Sequence, residues 1–141
     1  MVSKKINLKL VLPQIPDIEL LATACIDKMA RFLGVARNKT LEAHILTIEA
    51  VVNAFEHGSS ARGQVYVEFT MSSRELVILV RDQGSGFDPT KVKDPNLEDK
   101  MAGSHRRGWG LKILKTMSDE CHIESDSNGT RIRLVKNLIE E

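Results

Sequence analysis

Glu49-Ala50-Val51-Val52-Asn53-Ala54-Phe55-Glu56-His57-Gly58 is the stretch on which the fold turns. Glu49, Asn53 and His57 recur every four residues. Each step of four advances about 40° around a helix, so the three form one narrow polar stripe. An apolar seam runs beside it: Leu41, Ile45, Ile48, Val52 and Phe55 hold the spacing of a helix with one face turned to a core. Taken alone, the stripe reads as a solvated helix face. Its chemistry argues for more, because a carboxylate can accept a proton and an Asn carbonyl is a hard oxygen ligand suited to Mg²⁺. The His, near the helix C-terminus, fits a group that complements the dipole.

On the N-terminal side, Ile6 to Leu12 alternates apolar and polar residues and stops at Pro13, as a half-buried strand does. Pro16-Asp17 then opens a helix with Asp17 placed to cap it. Ile18, Leu21, Cys25, Met29 and Phe32 form its expected apolar stripe, which ends near Gly34.

On the C-terminal side the period changes to two. Val65, Val67 and Phe69 alternate with polar residues, and a second strand spans Leu76 to Val80. The short Met71-Ser72-Ser73-Arg74 connection predicts an antiparallel hairpin. From Gln83 to Arg107 the periodicity is lost in a charged, Gly- and Pro-bearing stretch, the signature of a binding loop or lid. A third helix follows from about Gly108, then two strands, Cys121 to Ser125 and Thr130 to Val135, joined by a turn at Asn128-Gly129. The order β, α, α, β, β, lid, α, β, β predicts an α+β fold, a mixed and mostly antiparallel sheet with three helices on one face.

Two further clusters punctuate this order. Asp82-Gln83-Gly84-Ser85-Gly86-Phe87 directly follows a strand. Its glycines let the backbone approach a flat ligand, and Asp82 can accept hydrogen bonds from an exocyclic amine. Arg106-Arg107-Gly108-Trp109-Gly110-Leu111 opens a helix. Free N–H groups there, flanked by two arginines, suit a phosphate chain. Neither cluster is a Rossmann or P-loop fingerprint.

Composition narrows the function classes. The chain has 141 residues, 42% of them hydrophobic and 28% charged, enough for one globular domain over residues 1–141. Twenty Lys and Arg against 19 Asp and Glu leave a formal charge of +1, which argues against a nucleic-acid or anionic-membrane binder. No apolar run approaches a membrane span, and the start of the sequence does not read as a signal peptide. Cys25 and Cys121 read as reduced, half-buried thiols, and the expected location is the cytoplasm.

Glu-x-x-x-Asn on a helix, Asp-x-Gly-x-Gly after a strand and Gly-x-Gly at a helix start, in this order, resemble the N, G1 and G2 boxes of the GHKL ATPase superfamily with its Bergerat nucleotide site. The segment Glu49 to Gly58 is similar to the N box of the anti-sigma-factor serine kinases of bacterial sporulation and general stress, and the resemblance covers nearly the whole chain. It implies ATP and Mg²⁺ as cofactors. Asn53 matches the Mg²⁺ ligand and Glu49 the general base. Asp82 matches the adenine-binding carboxylate, with Gly84 and Gly86 shaping that pocket. Gly108 and Gly110 match glycines beside the phosphates, and Thr130 matches a threonine near the adenine. Arg106 or Arg107 is the candidate for stabilising the γ-phosphate, and residues 84–107 would be the ATP lid.

The same resemblance implies a kinase that sequesters a sigma factor and phosphorylates a serine of a STAS-domain anti-sigma antagonist, typically as a homodimer. Two alternatives share its sites. One is a switch kinase of the same fold that acts on a STAS protein to control a partner phosphatase. The other is a nucleotide-dependent sequestering module without chemistry, against which an intact Glu49 speaks.

Overall fold

The change of hydrophobic period along the chain is reproduced as a change of element. A computed structural model describes residues 4–57, 63–82 and 106–140. The elements are β1 (Ile6–Pro13), α1 (Glu19–Leu33), α2 (Arg37–His57), β2 (Gln64–Met71), β3 (Glu75–Arg81), α3 (Arg106–Met117), β4 (Glu120–Asp126) and β5 (Gly129–Asn137). Of the segment expected as a lid, residues 84–105, Gly84 and Gly86 among them, lie outside the described residues, and its last two residues, Arg106 and Arg107, belong to α3.

The strands form one sheet in the order β1-β2-β3-β5-β4, and every neighbouring pair is antiparallel. The sheet is therefore not mixed, which corrects the sequence-based expectation. β3 and β4, joined through α3, do run in the same direction. The β4–β5 hairpin then returns β5 into the gap between them, so no parallel ladder forms.

Alternation turns Val65, Val67, Phe69 and Met71 of β2, Leu76, Ile78 and Val80 of β3, and Ile132 and Leu134 of β5 toward the helices. Phe69, Leu76, Ile78 and Leu134 lose all contact with solvent. The helical side of the core differs from the predicted seams. α2 buries Ala43, Leu46, Ala50, Val51 and Ala54, whereas Leu41 and Ile45 are 44% and 42% exposed. On α1 the buried set is Ala22, Ile26, Met29 and Ala30, and Phe32 is 80% exposed. The reason is size. Both helices are apolar around much of their circumference, and alanine faces allow closer approach to the sheet and to each other than the larger stripes would.

The start of α1 also departs from expectation. Asp17 adopts φ 64°, Ile18 occupies the N-cap with no side-chain hydrogen bond, and the Asp17 carbonyl accepts from Leu20 N–H at 3.0 Å. At the other end Gly34 takes the left-handed conformation that a Schellman-type stop requires, and Val35 N–H reaches Ala30 O at 2.9 Å.

A half-buried ion pair ties three elements together. Lys136 of β5 is nearly enclosed, and its Nζ lies 2.8 Å from Glu42 Oε2 on α2 while donating to Met117 O at the end of α3, also at 2.8 Å. The ammonium thus compensates both a carboxylate and a helix C-terminus. The hydrogen bond from Lys136 holds the Glu42 carboxyl below the usual carboxylate range.

A depressed carboxyl pKa contributes stability above the ordinary carboxylate pKa, and that contribution disappears as pH falls through the depressed value. Glu42→Gln should therefore melt lower than wild type at neutral pH, with the gap closing below about pH 4. Lys136→Met should cost about 1–2 kcal/mol, or about 3–6 °C in melting temperature, because Glu42 keeps its charge and the Met117 carbonyl loses its donor. Thermal unfolding followed by circular dichroism across pH checks both.

Candidate functional site

α2 buries its alanines, its polar stripe runs beside them, and Glu49 of that stripe faces α3. Glu42, Glu49 and Asn53 share that stripe at separations of seven and four. Glu42 was absent from the sequence-based set, although a spacing of two full turns upstream of Glu49 was the available signal.

Asn53 is 3% exposed, and neither its Oδ1 nor its Nδ2 has a hydrogen-bond partner among the described residues. Buried amides are almost always satisfied, and leaving one unpaired costs about 1–3 kcal/mol. Such a group suits a hard cation or a polar ligand that arrives from outside. No three His, Cys, Asp or Glu side chains gather into a metal-holding group among the described residues. A metal ion here would take one donor from Asn53 and the rest from its ligand, which is how Mg²⁺ is commonly held beside phosphates. The residues present fit that group.

Glu49 lies one turn before Asn53, half-buried, and faces α3. A methyl group placed on Gly110 would stand 3.1 Å from Glu49 Oε2. Glycine at 110 therefore leaves the carboxylate its place. α3 begins at Arg106, two residues earlier than the sequence indicated, so Gly110 lies in the second turn and not among the free N–H groups of the helix start. Gly110 thus stands beside the Glu49 carboxylate. Arg106, Arg107 and Gly108 open the helix, and their side-chain positions, like that of His57, lie outside the described residues.

At the end of β3, Asp82 is 3% exposed. Its N–H donates to Thr130 O at 3.0 Å, and Thr130 N–H donates to the Asp82 carboxylate at 3.3 Å. The side chain of Asp82 thus takes a ladder position, and the main chain is free to leave the strand toward residue 83. Ser125 and Thr130 hydroxyls lie 3.0 Å apart behind this pair. The structure brings Asp82 together with Thr130 and Glu49 together with Gly110, one pair at a sheet end and the other between two helices. Cys25 and Cys121 are free and half-buried, with burial raising both thiols above their ordinary pKa. No helix among the described residues is long and apolar enough to cross a membrane.

Replacing an unsatisfied buried amide by an apolar group of similar length removes its desolvation cost. Asn53→Leu should accordingly raise the ligand-free melting temperature, by the equivalent of about 1 kcal/mol. A lower melting temperature in differential scanning calorimetry would show that Asn53 is already satisfied.

Comparison with known proteins completes the description of the site. Residues 17–136 match the family described as histidine kinase-like ATPase domain. The chain is 33% identical over 93 residues to the anti-sigma F factor of Clostridium novyi, covering 64% of this chain and 65% of that one. It is 33% identical over 101 residues to the anti-sigma F factor of Bacillus subtilis, covering 69% and 68%. The match thus spans slightly under two thirds of the first of these relatives. Among solved structures, the RsbU and RsbW domains of a Mycobacterium tuberculosis protein superpose with a TM-score of 0.71 at 17% identity, covering 96% of this chain and 33% of that one. The SiaB–SiaC complex of Pseudomonas aeruginosa gives a TM-score of 0.59 at 10% identity, covering 92% and 89%. At such identities the structural likeness concerns the fold.

Proposed function

Since the chain belongs to the histidine kinase-like ATPase domain family, we propose that it is an ATP-dependent protein-serine kinase that also acts as an anti-sigma factor. In this reading it sequesters a sigma factor and phosphorylates a serine on a STAS-domain antagonist, as a homodimer in the cytoplasm. The observation that carries it is the buried, unpartnered Asn53 amide one turn from a Glu49 carboxylate that Gly110 admits. The likeness to anti-sigma F factors supports the choice of partners.

The chemistry assigned to each residue is modest. Phosphoryl transfer needs alignment and charge neutralisation more than covalent participation by the protein. Asp82, fixed by Thr130, would accept a hydrogen bond from the adenine amino group and so set the nucleotide's register. Asn53 would hold Mg²⁺, which neutralises charge on the phosphates when bound. Glu49 would take the proton from the substrate serine as its Oγ attacks the γ-phosphorus and ADP leaves. Gly84 and Gly86 would shape the adenine pocket, while Gly108 and either Arg106 or Arg107 would flank the phosphates under a lid of residues 84–107.

Glu49→Gln is expected to keep Mg²⁺-ATP binding and to lower the transfer rate about 10²–10⁴-fold, the usual range for a lost general base. Asn53→Ala should abolish Mg²⁺-dependent binding, read by calorimetric titration with ATP in the presence and absence of the ion. Transfer is followed with labelled ATP and a STAS-domain antagonist. A Glu49→Gln protein with the wild-type rate would leave Glu49 a positioning group only.

A further inference from the structure

The sheet has a second face, turned away from the helices. Strand alternation that points Asp82 and Thr130 toward the helices points Arg81 and Arg131 to the opposite side. Two rows of side chains cross all five strands there. One runs Val11, Tyr66, Arg81, Arg131, Glu124, and the other Lys9, Glu68, Leu79, Arg133, His122. Together they line an open trough of about 880 Å³.

The charges in this trough are unbalanced. It holds four cationic side chains against two carboxylates, in a chain whose formal charge is only +1. Arg81 lies over the Tyr66 ring, 4.9 Å from its centroid. Among the described residues, none of Arg81, Arg131 and Arg133 makes an ion pair, although Glu124 stands directly across from Arg131. Glu68 is engaged instead by Asn7 Nδ2 at 2.7 Å.

Arg81 and Arg131 are directly opposed across β3 and β5. Asp82 and Thr130 form the hydrogen-bonded pair next to them, so alternation puts the two arginines at a non-hydrogen-bonded position, where side chains stand closest. Like charges so placed destabilise a sheet. An anionic group between them would relieve that repulsion.

We propose that this trough is a docking surface for an acidic, partly apolar segment of a protein partner, on the face opposite the nucleotide site and independent of nucleotide chemistry. Charge complementarity selects the occupant. Tyr66, Leu79 and Val11 share these rows with the cations and call for apolar side chains between the carboxylates. Glu68 and Glu124, in the same rows, would repel a continuous phosphate backbone. The five strands span about 19 Å, the length of a helix of about 13 residues.

The test uses a fluorescein-labelled synthetic peptide of glutamate and leucine, about 14 residues long, titrated with the full chain at low salt and read by anisotropy. Binding should weaken about tenfold or more in an Arg131→Glu/Arg133→Glu protein, and also as salt is raised. The milder Arg131→Gln/Arg133→Gln protein guards against misfolding of the charge-reversed one, and its affinity should also fall. Glu124→Gln should tighten binding by removing a like charge. Unchanged affinity in both double variants would overturn the proposal. Equal or tighter binding of a single-stranded DNA oligomer of the same length would overturn it in favour of a nucleic-acid surface. Sedimentation showing a wild-type dimer that Arg131→Gln/Arg133→Gln dissociates would overturn it in favour of a second copy of the chain.

Discussion

Ala43, Ala50 and Ala54 are buried along one side of α2, and that burial decides where the polar groups of the helix can go. A helix held by that face cannot rotate its neighbouring stripe into water. Glu42, Glu49 and Asn53 must each be accommodated between the sheet and α3. Their outcomes differ. Glu42 meets Lys136 and becomes part of the frame. Glu49 is admitted by the absence of a side chain at Gly110. Asn53 finds no partner among the described residues. One packing decision therefore yields a brace, a poised carboxylate and an unsatisfied amide within three turns of helix, and only the last carries a standing energetic cost. Natural folds concentrate such violations of good packing at sites of function.

Much of this was legible in the residues. The switch from period four to period two located the helices and the hairpin, because a backbone ladder imposes its repeat on any chain that buries one face. Gly34 and Gly129 marked stops because few other residues accept the positive φ that both adopt. The candidate site residues Glu49, Asn53, Asp82 and Thr130 were also visible, although periodicity alone did not reveal which of them would meet. The pairing of Asp82 with Thr130 depends on a strand order that no local pattern encodes.

The departures from expectation have separate physical origins. Spacings of three and four mark an apolar stripe on each helix, yet Leu41, Ile45 and Phe32 are exposed while alanines are buried. Periodicity finds an arc of a helix but does not say which arc is inside when several are apolar. Asp17 failed as a cap because its backbone turns left-handed before the helix begins, which a capping pattern cannot register. The sheet is antiparallel throughout because β5 separates β3 and β4, the two strands that run in the same direction.

That separation has a temporal side. β5 is made after β4 yet lies between β4 and β3, so β4 has no strand to pair with until its successor arrives. Thr130 and Lys136, which fix Asp82 and the end of α3, belong to this same late strand. A chain emerging from the ribosome would carry α2 with its stripe complete long before either anchor exists. Non-local closure of this kind is slow relative to local helix formation. Nucleotide-binding competence should thus appear abruptly with the last strand, so that incomplete chains hold neither ligand nor the surface that a partner would read.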